Sequence, residues 1–292
     1  MVDPAKAPPA SVEAFIAQVR ERFTELSPQL QAGAAYLLDF PDEVAIYSMR
    51  KVAERATVQP ASLVRLSQVF GFPGWNELRS LFVARMRTVP EIYAAKAETL
   101  IDRADTETLM HEMFRAQRQN LQATEALSVA GLANAARLLH DARHVHIAGF
   151  RGSFPVAFML HYLYRQFRSS VSLVSATGGT LEVELRALDP DDAVLAVSFA
   201  PYSSEATQLA SAARQAGCRL IAIADSSASS IGLGADQTLL FTGSSPSIFP
   251  SIAAGVGVAE ALLAQLLTLD QGEGARRIAR NEARLRSPDP AH

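Results

Sequence analysis

Residues 48–70 read SMRKVAERATVQPASLVRLSQVF. Val52, Ala53 and Ala56 fall on one side of a first helix, about 48–56. Leu63, Val64, Leu66 and Val69 give a second helix, about 60–70, its inward side. Ala53 is small enough for the second helix to cross closely, and Val58 plugs the turn between them. This is the arrangement of a helix-turn-helix, whose second helix enters the major groove of DNA N-terminus first. It presents Gln59, Ala61, Ser62 and Arg65 to base edges and Arg50 and Lys51 to phosphates. The same pattern also fits a plain helical bundle with a solvated basic face.

Outward from this segment the chain remains helical by pattern. Val12, Phe15, Ile16, Val19, Phe23 and Leu26 recur at helical spacing. Ser27-Pro28 opens a further helix, with Pro28 at its first position and a stop before Pro41. Gly71-Phe72-Pro73-Gly74 closes the helix pair, and Trp75 begins and anchors another helix. Residues 44–90 hold seven cations and two anions, a formal charge of +5. Residues 127–270 hold eight arginines and eleven acids, a charge of −3. A local basic excess in a chain of net charge −3 is the expected footprint of phosphate contacts.

Composition narrows the field further. The chain has 292 residues, is 49% hydrophobic and has Cys218 as its single cysteine. That suits one large domain or two modest ones, and it excludes wholesale disorder, a disulfide framework and a thiolate zinc site. The most apolar stretch, 252–269, contains Glu260 and Gln265 and reads as a helix packed inside a domain rather than a membrane span. The N-terminal residues show no signal-like apolar run. The expectation is a cytoplasmic protein with no membrane partner.

From residue 127 the pattern changes to alternation. Apolar, β-rich runs at 144–148, 171–174, 193–197, 220–224 and 237–241 are separated by helical stretches at 153–167, 180–188, 203–216 and about 227–234. Final helices occupy 247–267. Strands separated by helices argue for a parallel sheet covered on both faces. The expected fold class is α + α/β in two domains. An all-helical domain covers 11–90, a helical linker with sparse apolar positions (Leu109, Met113, Leu121) covers 91–126, a five-stranded parallel α/β domain covers 127–270, and a basic tail covers 271–292.

Three turns of the α/β region follow parallel strands, at the edge where ligands bind in open α/β sheets. Gly149-Phe150-Arg151-Gly152-Ser153 ends the first strand. Backbone N–H groups at such a helix start can hold an anion, and Arg151 adds a fixed charge. Thr177 lies in the turn after the second strand, and Ser198 and Ser203 bracket the turn after the third. Arg151, Ser153, Ser198, Ser203 and Thr177 are therefore the candidate effector-binding residues, because hydroxyls on neighbouring loops suit a phosphate and a polyol. Equally, such turns serve as tight connections whose Ser and Thr cap the following helices.

Residues 14–90 resemble the N-terminal domain of the RpiR family of bacterial transcriptional regulators. The matching pieces are LSPQLQAGAAYLLDFPDEVAIYSM and KVAERATVQPASLVRLSQVFGFPGWNELRSLF. The family runs through a Leu-Ala pair, a Gly-Val-Ser turn, a Thr-Val-x-Arg helix and a Gly-Phe-x-Gly-Phe close. Thr57 replaces the turn glycine, and a β-branched residue resists a positive φ there. Gln59 replaces the capping serine, with Pro60 compensating at the first helical position. Residues 130–270 resemble the sugar isomerase (SIS) domain, a phosphosugar-binding α/β fold. Gly149-Phe150-Arg151-Gly152-Ser153 stands for its Gly-x-Gly-x-Ser turn. Ser198 to Ser203 stands for Ser-x-Ser-Gly-x-Thr, with Ala200 and Pro201 in place of Ser and Gly, and 217–225 matches the next strand.

The resemblance implies a transcriptional regulator that binds operator DNA and senses a phosphosugar-like effector. It implies no enzyme activity, cofactor or metal. A homodimer or higher homo-oligomer is expected, because two recognition helices match a palindromic operator. The rival reading is a phosphosugar isomerase with an accessory helical domain. Glu182 and Glu184, beside Thr180, are its candidate bases, but no acid partner is evident. His140, His144, His146 and His161 lack carboxylates at matching spacing, so they are read as surface or packed residues. Cys218 is read as buried and inert.

Overall fold

The computed structural model describes residues 8–84, 97, 100–101, 106–200 and 202–286. The expectations that involve Arg85, Arg87, Pro90, Pro201, Pro288 and Pro290 lie outside the described residues. By its contacts the chain divides into two compact units. One covers residues 1–114 with 226–233 and 245–249, and the other covers 115–225, 234–244 and 250–292.

The first unit contains α1 (Val12–Arg22), α2 (Pro28–Asp39), α3 (Pro41–Ile46), α4 (Met49–Arg55), α5 (Pro60–Val69) and α6, helical over 75–84. Ser11 caps α1 by accepting the Ala14 N–H at 3.1 Å. Phe15, fully buried, meets Phe70, Phe72 and Phe82 edge-on, with ring centroids 5.3, 6.3 and 5.9 Å away. Each such aromatic contact adds about 0.5–1.5 kcal/mol to the area it buries. α2 stops at Asp39, before Pro41, as the pattern predicts, and Pro41 then also starts α3. Its missing N–H and fixed φ suit the first helical position.

The helix pair α4–α5 forms as the pattern predicts, with Val52, Ala53, Leu63 and Leu66 buried. Val64 and Val69 are only partly buried. Ser67 and Phe70 take the inward places, since positions 63, 66, 67 and 70 follow the 3.6-residue period. The buried Ser67 hydroxyl is satisfied by donating to the Leu63 carbonyl at 2.8 Å. The end of α4 is a Schellman motif. The Val58 N–H reaches the Ala53 carbonyl at 2.9 Å, and the Thr57 N–H reaches Glu54 at 3.1 Å. That motif needs a left-handed residue after the C-cap, and Thr57 supplies it at φ +57. A β-branched residue there costs about 1–2 kcal/mol.

The second unit holds most of α7 (Thr106–Asp141), then β1 (Val145–Gly149), α8 (Phe154–Phe167), β2 (Val171–Val174), α9 (Leu181–Arg186), β3 (Ala193–Ser198), α10 (Ser204–Ala216), β4 (Arg219–Ala224), β5 (Gln237–Leu240), α11 (Ala253–Leu269) and α12 (Glu273–Arg286). The five strands form one all-parallel sheet in the order β2-β1-β3-β4-β5. Every residue of β3 is buried, as a central strand covered on both faces requires. Leu139, Ile147, Leu160, Leu195, Ile221 and Leu262 are fully buried in its core. Each contributes about 1.5–3 kcal/mol.

Two helical expectations fail. Residues 227–234 form successive turns, because Ser226 Oγ accepts the Ala228 N–H and Ser229 Oγ accepts the Gly232 N–H, both at 3.1 Å. Serine hydroxyls that capture nearby amides compete with the helix ladder. Residues 247–252 are irregular, and α11 begins only at Ala253. Pro250 lacks the N–H that an earlier start would need.

Replacing Thr57 with glycine is expected to raise the unfolding free energy by about 1 kcal/mol, because the left-handed turn is retained without its side-chain clash. Urea unfolding of the two proteins checks this, and a fall in stability would contradict it.

Candidate functional site

The helix-turn-helix face is built from the start of α4 and the start of α5. Arg50, Lys51, Gln59, Ala61 and Arg65 are exposed and Ser62 is half-buried. Gln59 holds the N-cap position without a side-chain bond, so its amide is free to project. Lys51 pairs with Glu54 at 3.0 Å on the surface, a contact worth little. Two other cations of this basic segment serve the fold. Arg55 bonds Glu43 at 2.6 Å and lies 4.6 Å over the Tyr47 ring. Arg79 donates to the carbonyls of Val44 at 3.2 Å and Ala45 at 2.7 Å. Tyr36 also donates to Glu43, and burial, followed by the Glu43 carboxylate, pushes its phenol well above the usual range. Counting charges in sequence cannot separate cations bonded within the fold from the others.

The second candidate site sits at a reversal in the sheet. The chain runs from β1 out to β2, then returns to β3 on the other side of β1. The turns after β1 and β3 therefore leave the sheet side by side, at the switch point where open α/β sheets bind their ligands. Gly149 pairs with Val197 across the two strands. A Cβ on Gly149 would lie 2.7 Å from the Ser153 carbonyl, so the turn needs glycine there. A Cβ on Gly152 would lie 3.3 Å from the Phe199 ring, which brings the two turns into contact.

Arg151 is exposed and stands at φ +53, in the left-handed region. It occupies the place of the second glycine in the Gly-x-Gly-x-Ser pattern, which explains the backbone. A non-glycine residue there costs about 1–2 kcal/mol. Ser153 and Ser198 are buried at the root of the two turns. Ser203 accepts the Ala206 N–H at 3.2 Å, so it does cap α10. Thr177 is exposed in the turn after the edge strand β2 and donates to Ser175 Oγ at 2.8 Å. Ser153 and Ser198 thus share the switch point, whereas Thr177 belongs to the neighbouring turn.

Asp225 was missed in the sequence. It follows Ala224, which pairs with Ser198, so it faces the turn after β3. Its carboxylate accepts the Ala200 N–H at 3.3 Å and the Tyr202 hydroxyl at 2.6 Å. An amide that would serve an anion is engaged internally, which leaves the Arg151 side as the source of positive charge.

Several ionisable side chains of this unit make local bonds. Glu184 accepts the Ala176 N–H at 3.2 Å and the Thr180 hydroxyl at 3.0 Å, and the exposed Glu182 pairs with Arg186. His146 bridges Ser172 and the buried Asp192, each at 3.1 Å, and His144 bonds Ser172 at 3.0 Å. Burial, then the neighbouring His146, lowers the His144 pKa. Burial raises that of Cys218, whose thiol donates to the Asp189 carbonyl at 3.1 Å.

Comparison with known proteins follows the two units. Residues 14–86 match the rpiR-family helix-turn-helix domain and residues 138–271 match the SIS domain. The uncharacterized HTH-type transcriptional regulator YfhH of Escherichia coli (strain K12) is 24% identical over 208 residues, covering 70% of this chain and 73% of that protein. The sugar isomerase domain of the RpiR transcription factor from Sphaerobacter thermophilus superposes with a TM-score of 0.58 at 22% identity. It covers 61% of this chain and 99% of its own. The Vibrio vulnificus NanR protein complexed with ManNAc-6P superposes with a TM-score of 0.52 at 17% identity, covering 93% and 98%. At these identities the superpositions establish a shared fold.

Arg151→Gly is expected to leave stability unchanged or raise it by up to about 1 kcal/mol, since glycine suits the left-handed turn. The same change is expected to weaken binding of a sugar phosphate at least about tenfold, the loss of one charge-assisted bond. Urea unfolding and calorimetry read the two effects separately. Undiminished binding would remove Arg151 from the site.

Proposed function

The chain belongs to the RpiR family, a helix-turn-helix domain of the rpiR type joined to a SIS domain, and from that premise we infer that it is a DNA-binding transcriptional regulator whose SIS domain senses a phosphorylated sugar. The observation that carries this reading is the joint match, 14–86 and 138–271, in one chain. The relatives agree. YfhH is named as an HTH-type transcriptional regulator, and NanR was solved with a sugar phosphate, ManNAc-6P.

In this reading Arg65, Ser62, Ala61 and Gln59 meet base edges at the start of α5, and Arg50 and Lys51 meet phosphates. Arg151, Ser153, Ser198 and Ser203 hold the effector, with Thr177 closing from the next turn. Effector binding shifts operator affinity only by its differential affinity for the two placements of the DNA-binding domains. The protein acts as a homodimer in the cytoplasm. Among the described residues no single helix is long and apolar enough to cross a membrane.

The SIS domain is related to isomerases, and this chain is proposed to bind without turnover. Its support is the fate of the two carboxylates. Glu184 staples its own loop and Glu182 is paired, so neither is poised as a base. Incubation with aldose and ketose phosphates, followed by NMR, is expected to show no interconversion. Isomerisation abolished by Glu184→Gln would overturn that.

Operator binding tests the reading as a whole. Sites mapped on the genome supply the operator, and anisotropy supplies the affinities. Arg65→Ala is expected to lower discrimination by about 1–3 kcal/mol at one base position. Arg50→Ala is expected to weaken all sequences alike and reduce the salt slope by about 1. If Arg65→Ala leaves affinity and sequence preference intact, the docking is wrong.

A further inference from the structure

A cavity of about 240 Å³ lies wholly in the second unit, between the ends of α7 and α8 and the junction of α11 with α12. His140 and Ser169 line it and precede β1 and β2, which places it at the amino-terminal edge of the sheet. The turns that carry Arg151 and Ser198 leave the opposite edge, where open α/β sheets bind their ligands. A site at the amino-terminal edge has therefore to be built by side chains.

Two of the charged groups around the cavity are committed to the fold. Arg168 donates to the carbonyls of Leu139 at 2.7 Å, His140 at 3.1 Å and Ala142, and so closes the end of α7. Asp270 accepts the Gly272 N–H at 3.0 Å and the Gly274 N–H at 2.8 Å at the start of α12. Arg277 and Arg280 differ. They line the cavity three residues apart, on one face of α12. Among the described residues neither forms an ion pair. Arg277 Nε is buried and, among the described residues, has no hydrogen-bond partner. A buried donor without an acceptor is costly, and an incoming acceptor recovers that cost. The buried Tyr164 hydroxyl accepts from Arg168 at 3.2 Å, so its own hydrogen remains to be donated. Burial raises the pKa of that phenol, which keeps the hydrogen in place.

The lining also selects among anions. Arg168, Arg277 and Arg280 against Asp270 and Glu273 leave it at a formal charge of +1 with His140 neutral. That balance suits one negative charge rather than two. Pockets for drug-sized ligands run to about 300–1,000 Å³, so the occupant here is smaller. Phe167 and Leu266 give the cavity an apolar wall. The planar fork of arginine matches a carboxylate.

We propose that this cavity is a second ligand site, which binds a small monocarboxylic acid. The carboxylate meets Arg277, Arg280 and the Tyr164 hydroxyl, and a short apolar body lies against Phe167 and Leu266. Because the two arginines belong to α12 and the tyrosine to α8, the ligand bridges those helices. The site depends neither on the regulator reading nor on the turn after β1.

Butyrate is the probe, and the full chain carrying Arg151→Gly is the host, so that binding at the Arg151 turn does not contribute. Arginine Nε–H signals are followed in proton–nitrogen NMR spectra, and the one missing from Arg277→Lys identifies Arg277. Butyrate is expected to saturate at one molecule per chain and to move the Arg277 signal. Arg277→Ala and Arg280→Ala are each expected to weaken it at least about tenfold, the loss of one charge-assisted bond. Butyramide, which is neutral, is expected not to bind, and dianionic phosphate is expected to bind more weakly than butyrate. An Arg277 signal that butyrate leaves in place overturns the proposal without reliance on the alanine variants. Affinity unchanged in Arg277→Ala overturns it equally, and phosphate bound more tightly than butyrate overturns the monocarboxylate assignment. None of these results bears on operator binding or on the effector turn.

Discussion

The reversal of chain direction at β1 governs the rest of the second unit. A parallel sheet must be crossed by a helix between successive strands, and the crossover from β1 runs outward to β2 whereas that from β3 runs the other way to β4. The turns after β1 and β3 then cannot be covered by the same helix, and this switch point is where a ligand is expected to enter. Everything proposed for the effector hangs on that switch point. It puts Arg151 and Ser153 beside Ser198 and Phe199, although nearly fifty residues separate them in sequence.

Two left-handed residues show how function is accommodated. The α4–α5 turn and the β1 turn both require a positive φ, and in both places the family pattern has glycine. Thr57 and Arg151 keep those backbones at φ +57 and +53. At Thr57 nothing in the structure repays the strain, and the side chain is exposed. At Arg151 the exposed guanidinium is the charge proposed to meet the effector. The same backbone cost thus has different meanings at the two turns. Asp225 sharpens the second case, because it engages the Ala200 amide and leaves Arg151 as the counterpart for an anion.

The strands were legible within about one residue, because buried parallel strands are short β-branched runs bounded by turn residues. So was the helix pair α4–α5, whose period and small Ala53 fit one arrangement. Elements whose outcome turned on a single backbone group were not legible. Pro41 bounds α2 as the sequence implies, but it also opens α3, which its presence alone does not announce. The serines at 226 and 229 favour turns only once their hydroxyls find the Ala228 and Gly232 amides. Site residues divided the same way. The turn residues were visible from their strands, whereas Asp225, Arg55 and Arg79 act through partners that are distant in sequence, supplied only by tertiary packing.

The central claim is that an anion held by Arg151 changes how the helix-turn-helix unit meets DNA. The most direct measurement is operator affinity of the wild type and Arg151→Gly across a titrated panel of sugar phosphates at fixed salt. The account predicts that one member shifts wild-type affinity by at least about fivefold, the lower end of ordinary coupling energies. It predicts no shift in Arg151→Gly, whose affinity without effector matches the wild type. An equal response in both proteins, or no response of the wild type to any sugar phosphate, would contradict it.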